Sequence, residues 1–281
     1  MEDIFYRIKT LFLAVVVTVK QVWKDFSGDN GSQAAASFAF FSFLSLLALL
    51  ILSGAVLGMV LSENQELLDN IMDYISSNVP GISDTVKQAL DASVNLRGTL
   101  GLVGALGLIY TGTKVFDSFQ AWLNSIWGLE KPKYLKKKMK SVLTLLFVGA
   151  VALLGFGMHV TLFIARRYFN FIGSLMPILV FLVTTLMLFV GLAFIYSYSI
   201  DIKLGWRVVW AGALFSAILI NPVQMVLSWY YTKIGDLPAI YGSFAGVVLT
   251  IIVIYYVGYI IYLGAELNRY LDTERPRLTC A

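Results

Sequence analysis

Apolar residues run along this chain in stretches far longer than the core face of a soluble helix requires. Residues 34–61 carry no formal charge over 28 positions, about 42 Å of helix at roughly 1.5 Å per residue. A bilayer's hydrocarbon core is about 30 Å thick, so this run crosses it with tilt or overhang. Five further runs follow: from near Gly98 to Trp127, then Ser141–Ala165, Phe171–Ile200, Trp206–Thr232 and Ile240–Tyr270. The pattern predicts an all-α, polytopic membrane protein with about six transmembrane helices in residues 34–270.

The breaks between runs are equally readable. Residues 1–33 hold an apolar stretch, Ile4–Trp23, interrupted by Arg7, Lys9 and Lys20. Arg7, Thr10, Ala14, Thr18 and Gln21 recur at helical spacing, which predicts an amphipathic helix lying on the membrane surface. A cleaved signal peptide with Leu11–Val19 as its core is the rival reading. Lys20–Gln33 is too long and too charged for a cleavage region. Asp29-Asn30-Gly31-Ser32 then supplies turn and cap residues. The one sizeable insertion outside the membrane, residues 62–97, is acidic, and Asn78-Val79-Pro80-Gly81 predicts a break between two short helices there. Residues 271–281 form a tail.

Small residues mark where helices approach. Gly54 and Gly58 form one small-xxx-small pair, Gly242 and Gly246 another, and Gly98, Gly101, Gly104 and Gly107 repeat every third position. Pro222 removes a backbone donor within the fifth run and predicts a kink.

Charge sets orientation. Lys131, Lys133, Lys136, Lys137, Lys138 and Lys140 crowd a short connection without acids, and such loops stay cytoplasmic during insertion. With both termini on that side, fifteen of the 21 basic residues are cytoplasmic and five lie outside. Trp122, Trp127, Trp206 and Trp210 mark the inner boundary, and Trp229, Tyr230 and Tyr231 the outer one. Tags at residues 1, 135 and 281 should therefore be shielded from an impermeant reagent outside the cell membrane, and a tag near Ser83 should react. A reactive tag at 135 would invert the map.

Composition narrows the chemistry. The chain is 58% hydrophobic and 14% charged, where a soluble domain has about a quarter of its residues charged. One cysteine, Cys280, excludes an intrachain disulfide and a cysteine metal cage; one histidine, His159, excludes a multi-histidine zinc site. No phosphate-cradling loop, His-Glu-xx-His or Gly-x-Ser-x-Gly is present, so neither a cofactor nor an enzymatic activity is expected.

Lys114, Asp117, Gln120 and Asn124 share one face of the second run, with Lys114 and Asp117 spaced to pair. Ionisable residues within spans usually face the bundle interior or a water-filled cavity. This seam reads either as a cavity lining or as a structural ion pair with a snorkelling helix end. His159 reads as a helix-packing residue or a proton relay, and Asn221 and Gln224 as partners for carbonyls freed by Pro222 or further lining. Arg166 and Arg167, and Lys136, Lys137 and Lys138, are candidate contacts for lipid head groups. Glu266 is spaced to pair with Arg269.

Four stretches carry a resemblance: Ala34-Ala35-Ala36 with Ser45, Leu123-Asn124-Ser125-Ile126-Trp127-Gly128, Ile240-Tyr241-Gly242, and Leu263-Gly264-Ala265-Glu266-Leu267-Asn268. In this order and spacing they resemble the bacterial YihY/BrkB inner-membrane family, once labelled ribonuclease BN. The likeness covers about residues 20–270. That family usually has proline shortly after the serine, where this chain has Ala48. The resemblance implies a multi-pass protein of the inner membrane, linked to envelope lipids, and supplies no catalytic residues. Metal-dependent RNA cleavage needs clustered carboxylates or histidines, so no nucleic-acid partner is expected. Two functions follow as expectations: a transporter or flippase-like handler of lipids or other amphiphiles, or a non-transporting scaffold that docks a periplasmic or envelope protein through 62–97.

Overall fold

The computed structural model describes residues 16–63, 83–129, 134–168, 170–202, 204–233 and 244–278, and every regular element among them is helical. Residues 16–28 form α1, followed by α2 (Gly31–Glu63), α3 (Ser83–Ile126), α4 (Tyr134–Tyr168), α5 (Asn170–Ser199), α6 (Trp206–Lys233) and α7 (Phe244–Leu278). Helices α2 to α7 are each long and apolar enough to cross a membrane, which gives the six expected spans. Their outward faces are apolar too. Leu135, Met139, Leu143 and Leu146 stand on one side of α4, all exposed, as lipid rather than water would require.

The chain divides into two compact units: Met1–Phe40 with Val115–Ala281, and Phe41–Lys114. The smaller unit is built on the glycine face. A β-carbon on Gly104 would lie 2.7 Å from the Leu52 backbone nitrogen and one on Gly107 3.3 Å from Ala48, while Gly101 packs on Ala55 and Met59. Only glycine lets the two backbones come that close. Ser45 Oγ bonds Thr111 Oγ1 at 3.0 Å beside this contact. Ala48 is buried against it, in a helix that runs uninterrupted from Gly31 to Glu63.

In the larger unit α4 packs on α5, α5 on α6 and α6 on α7. Its core is a chain of rings: Phe26 on Trp122 at 6.3 Å, Trp122 on Tyr262 at 4.8 Å, Tyr262 on Phe119 at 5.1 Å, and Phe119 on Tyr196 at 6.1 Å. Helix α1 joins this core through Val22 and Phe26, while Val16, Val17, Val19 and Trp23 stay exposed beside Lys20, Gln21 and Lys24, a mixed outer face of the kind that lies at a membrane surface. Asn30 turns the chain into α2 with φ 56°, a conformation asparagine tolerates, and Gly31 leaves room for the Phe26 ring.

Two local expectations change. α3 starts at Ser83 rather than near Gly98, so the second short helix expected in 62–97 is continuous with the span; residues 64–82 lie outside the described residues. The lysine-rich connection is largely helical from Tyr134, because the carboxylates of Asp117 and Asp201 on neighbouring segments meet its lysines. Helix α6 continues through Pro222, where Asn221 Nδ2 donates to the Ala217 carbonyl at 2.9 Å and to Thr185 Oγ1 of α5 at 3.0 Å.

Candidate functional site

The lysine-bearing end of the larger unit concentrates its buried polar groups. α3 ends there in a C-cap built by the Leu123–Gly128 stretch. Gly128 takes φ 65°, its N–H bonds the Ser125 carbonyl at 3.0 Å, and the Leu129 N–H bonds that of Asn124 at 2.9 Å. This paired arrangement satisfies carbonyls that a helix end leaves open. It also aims Asn124 at the end of α5, where its Oδ1 accepts from the Asp201 N–H at 3.1 Å.

Asp201 gathers the start of α4. Lys136 and Lys140 both reach its Oδ1 at 2.9 Å, and Lys140 also bonds the Ile200 carbonyl at 3.1 Å. Burial would raise the Asp201 carboxyl, but hydrogen bonds and charge from Lys140 and Lys136 outweigh it and hold it below the usual range. The pairing therefore stabilises the fold at neutral pH and is lost only on acidification below the ordinary aspartate value of about 3.9.

The expected Lys114–Asp117 pair does not form. Asp117 accepts from Ser141 Oγ at 2.5 Å and meets Lys138 at 3.6 Å, both on α4, whereas Lys114 lies over the Tyr110 ring at 5.7 Å. Donors on the adjacent helix outcompete the same-helix lysine. Lys136 and Lys138, expected at lipid head groups, are thereby engaged with carboxylates, although Lys136 remains 61% exposed. Gln120 and Asn124 are 1% and 2% exposed, so both are covered by protein in this conformation. The side chains of His159, Arg166, Arg167 and Gln224 lie outside the described residues.

Sequence reasoning missed a second centre on α7. Gly264 sits so close to α6 that an added β-carbon would run into Ser216 Oγ and stand 2.8 Å from the Gly212 carbonyl and Tyr196 Oη. Tyr196 Oη donates to the Ile261 carbonyl at 2.7 Å, and Asn268 Oδ1 accepts from the Gly212 N–H at 2.8 Å. One turn on, Arg269 binds four groups. Its Nε donates to Glu266 Oε1 at 2.6 Å, its Nη2 meets Asp25 at 3.4 Å and Asp29 at 3.3 Å, and its Nη1 donates to the Ile126 carbonyl at 3.3 Å. The Glu266–Arg269 spacing was legible; Asp25 and Asp29 were not, because nothing local links them to residue 269.

Several of these groups lack partners. Gln120 Nε2 and Oε1, Glu266 Oε2 and Asn268 Nδ2 are buried and make no hydrogen bond among the described residues.

A family model described as Virulence factor BrkB matches residues 22–279. A UPF0761 membrane protein of Methylibium petroleiphilum is 27% identical over 201 residues, 70% of this chain and 48% of its own length. One of Mannheimia succiniciproducens is 27% identical over 214 residues, 75% of this chain and 72% of that protein. A third, of Alcanivorax borkumensis, is 22% identical over 278 residues, or 95% and 61%. The chain thus spans about half the length of some curated relatives, 48% in the first case. No solved structure matches it.

Proposed function

Since the chain belongs to the Virulence factor BrkB family of multi-pass bacterial membrane proteins, we propose that it moves lipids or other envelope amphiphiles across the inner membrane. One observation carries the reading. Gln120 is 1% exposed with neither amide atom hydrogen-bonded among the described residues, on the seam that runs from Asp117 to Asn124. A buried polar group left unpaired costs about 1–3 kcal/mol. Such a group is retained where a second conformation uses it, here to meet water or a polar head group as the seam opens. Asp117 and Asn124 continue this seam along α3, and the exposed Lys136 offers a cation for an anionic head group at the same end.

The scaffold reading keeps one specific support: Asn124 and Asp117 already make bonds that hold α3 to the end of α5 and to α4. In that case the partner is an envelope protein met through 62–97.

Vesicles separate the two. Purified protein is reconstituted with a fluorescent phospholipid, and leaflet exchange is read by an impermeant quencher in zwitterionic and anionic membranes. Wild type should exchange the probe faster than empty vesicles. Gln120→Leu should slow exchange about tenfold, the equivalent of one lost hydrogen bond of about 1.4 kcal/mol. The same change should hold or raise the melting temperature, since it removes an unsatisfied amide. Wild-type exchange no faster than empty vesicles would leave the scaffold reading, and an unimpaired Gln120→Leu in an active protein would remove Gln120 from the path of the lipid.

A further inference from the structure

Three carboxylates converge on the single guanidinium of Arg269, and they are not equivalent. Asp25 and Asp29, at the end of α1 and just beyond it, keep 27% and 36% of their side chains exposed, whereas Glu266 keeps none. Water can support the charges of the two aspartates. Glu266 has only Arg269, through Oε1, and its Oε2 is buried with no donor among the described residues. An ionised carboxylate offers about four acceptor sites, and burying one with a bare oxygen is far more costly than burying the neutral acid.

We propose that Glu266 is a proton-binding carboxyl, and that its proton decides how Arg269 is shared with Asp25 and Asp29, and so how firmly α1 docks on α7. The surroundings are consistent with this role. α7 presents Arg269, and the end of α1 presents Asp25 and Asp29. α3 contributes the uncharged Ile126 carbonyl, α6 sets the uncharged Gly212 and Ser216 against α7, and α5 sets the Tyr196 phenol there. With the proton on, Glu266 is a weak competitor and the guanidinium serves Asp25 and Asp29. With the proton off, Glu266 becomes a full anion 2.6 Å from Nε and draws the guanidinium away from α1. The ligand is a proton, bound at the lysine-bearing membrane boundary, and the device does not depend on lipid movement.

Two measurements on the purified full-length chain in lipid nanodiscs test it. The first is pH-difference infrared spectroscopy of wild type and Glu266→Gln. A protonated-carboxyl C=O band at neutral pH should be present in wild type and missing from the variant. The second is the mobility of a spin label at Lys24→Cys, on the exposed side of α1, in a Cys280→Ser background. The label should be immobile at low pH and become mobile as that band is lost, while with Glu266→Gln it should stay immobile throughout. Glutamine mimics the protonated acid, so that variant should also melt with wild type. An unchanged infrared band, a mobility curve that Glu266→Gln leaves intact, or a variant that loses stability would each overturn the proposal.

Discussion

Replacing Gly264 with alanine, a single added methyl group, should lower the stability of the larger unit by roughly 3–5 kcal/mol. Overpacking costs about 1–3 kcal/mol and more where the obstacle is backbone. Here the obstacles are the Gly212 carbonyl, Ser216 Oγ and Tyr196 Oη. Moving Tyr196 aside also endangers its bonds to the Ile261 carbonyl and Ser216, worth about 1 kcal/mol each. Gly149→Ala is the control, since nothing lies within 4 Å of a β-carbon there. It should be neutral or gain about 0.5–1 kcal/mol from the stiffer helix. Melting curves of both variants in the same detergent make the comparison, and equal midpoints would show that the α6–α7 contact has slack.

That contact shows what the sequence could and could not reveal. The six spans were legible because a soluble fold rarely has a core wide enough to bury an uncharged run longer than a bilayer is thick. The three-residue glycine rhythm likewise announced the face of α3 that meets α2. Helix ends were less legible. α3 runs back to Ser83 and α4 to Tyr134 because a helix needs satisfied backbone, not apolar side chains, and at α4 the carboxylates of Asp117 and Asp201 pair with three of the lysines that looked like a loop. The same competition removed Asp117 from Lys114. Spacing along one helix shows which residues can meet, but not which donor on the next helix is nearer.

The polar centre on α7 was harder still. The stretch Leu263–Asn268 was recognisable as a pattern, yet its work is tertiary: Gly264 and Asn268 serve α6, and Arg269 just beyond serves α1 and α3. Leu123–Gly128 is similar, since Gly128 and Asn124 end α3 while Leu123 and Ile126 fill the core. Two of the stretches that carry the family likeness therefore build the lysine-bearing end, which is also where the unpaired Gln120 amide and Glu266 Oε2 lie.

Arg269→Met should be the most damaging loss of a single polar side chain at that end, by roughly 2–4 kcal/mol. The exposed Asp25 and Asp29 regain water and account for little of this, as surface pairs do. The larger share falls on the buried Glu266 and the Ile126 carbonyl, which lose a charged donor without replacement. The double variant Arg269→Met/Glu266→Met should recover most of the loss, because apolar side chains of similar volume often replace a buried polar pair without penalty. Melting midpoints of wild type, both single variants and the double variant close a cycle, with a coupling of at least about 1 kcal/mol expected for groups in contact. The recovery should not extend to α1. Neither methionine can hold Asp25 and Asp29, so a spin label at Lys24→Cys should stay mobile in the double variant at every pH. Recovered stability with an immobile α1 would mean that Val22, Phe26 and the Trp122 bond to the Asp29 carbonyl dock this helix without the guanidinium.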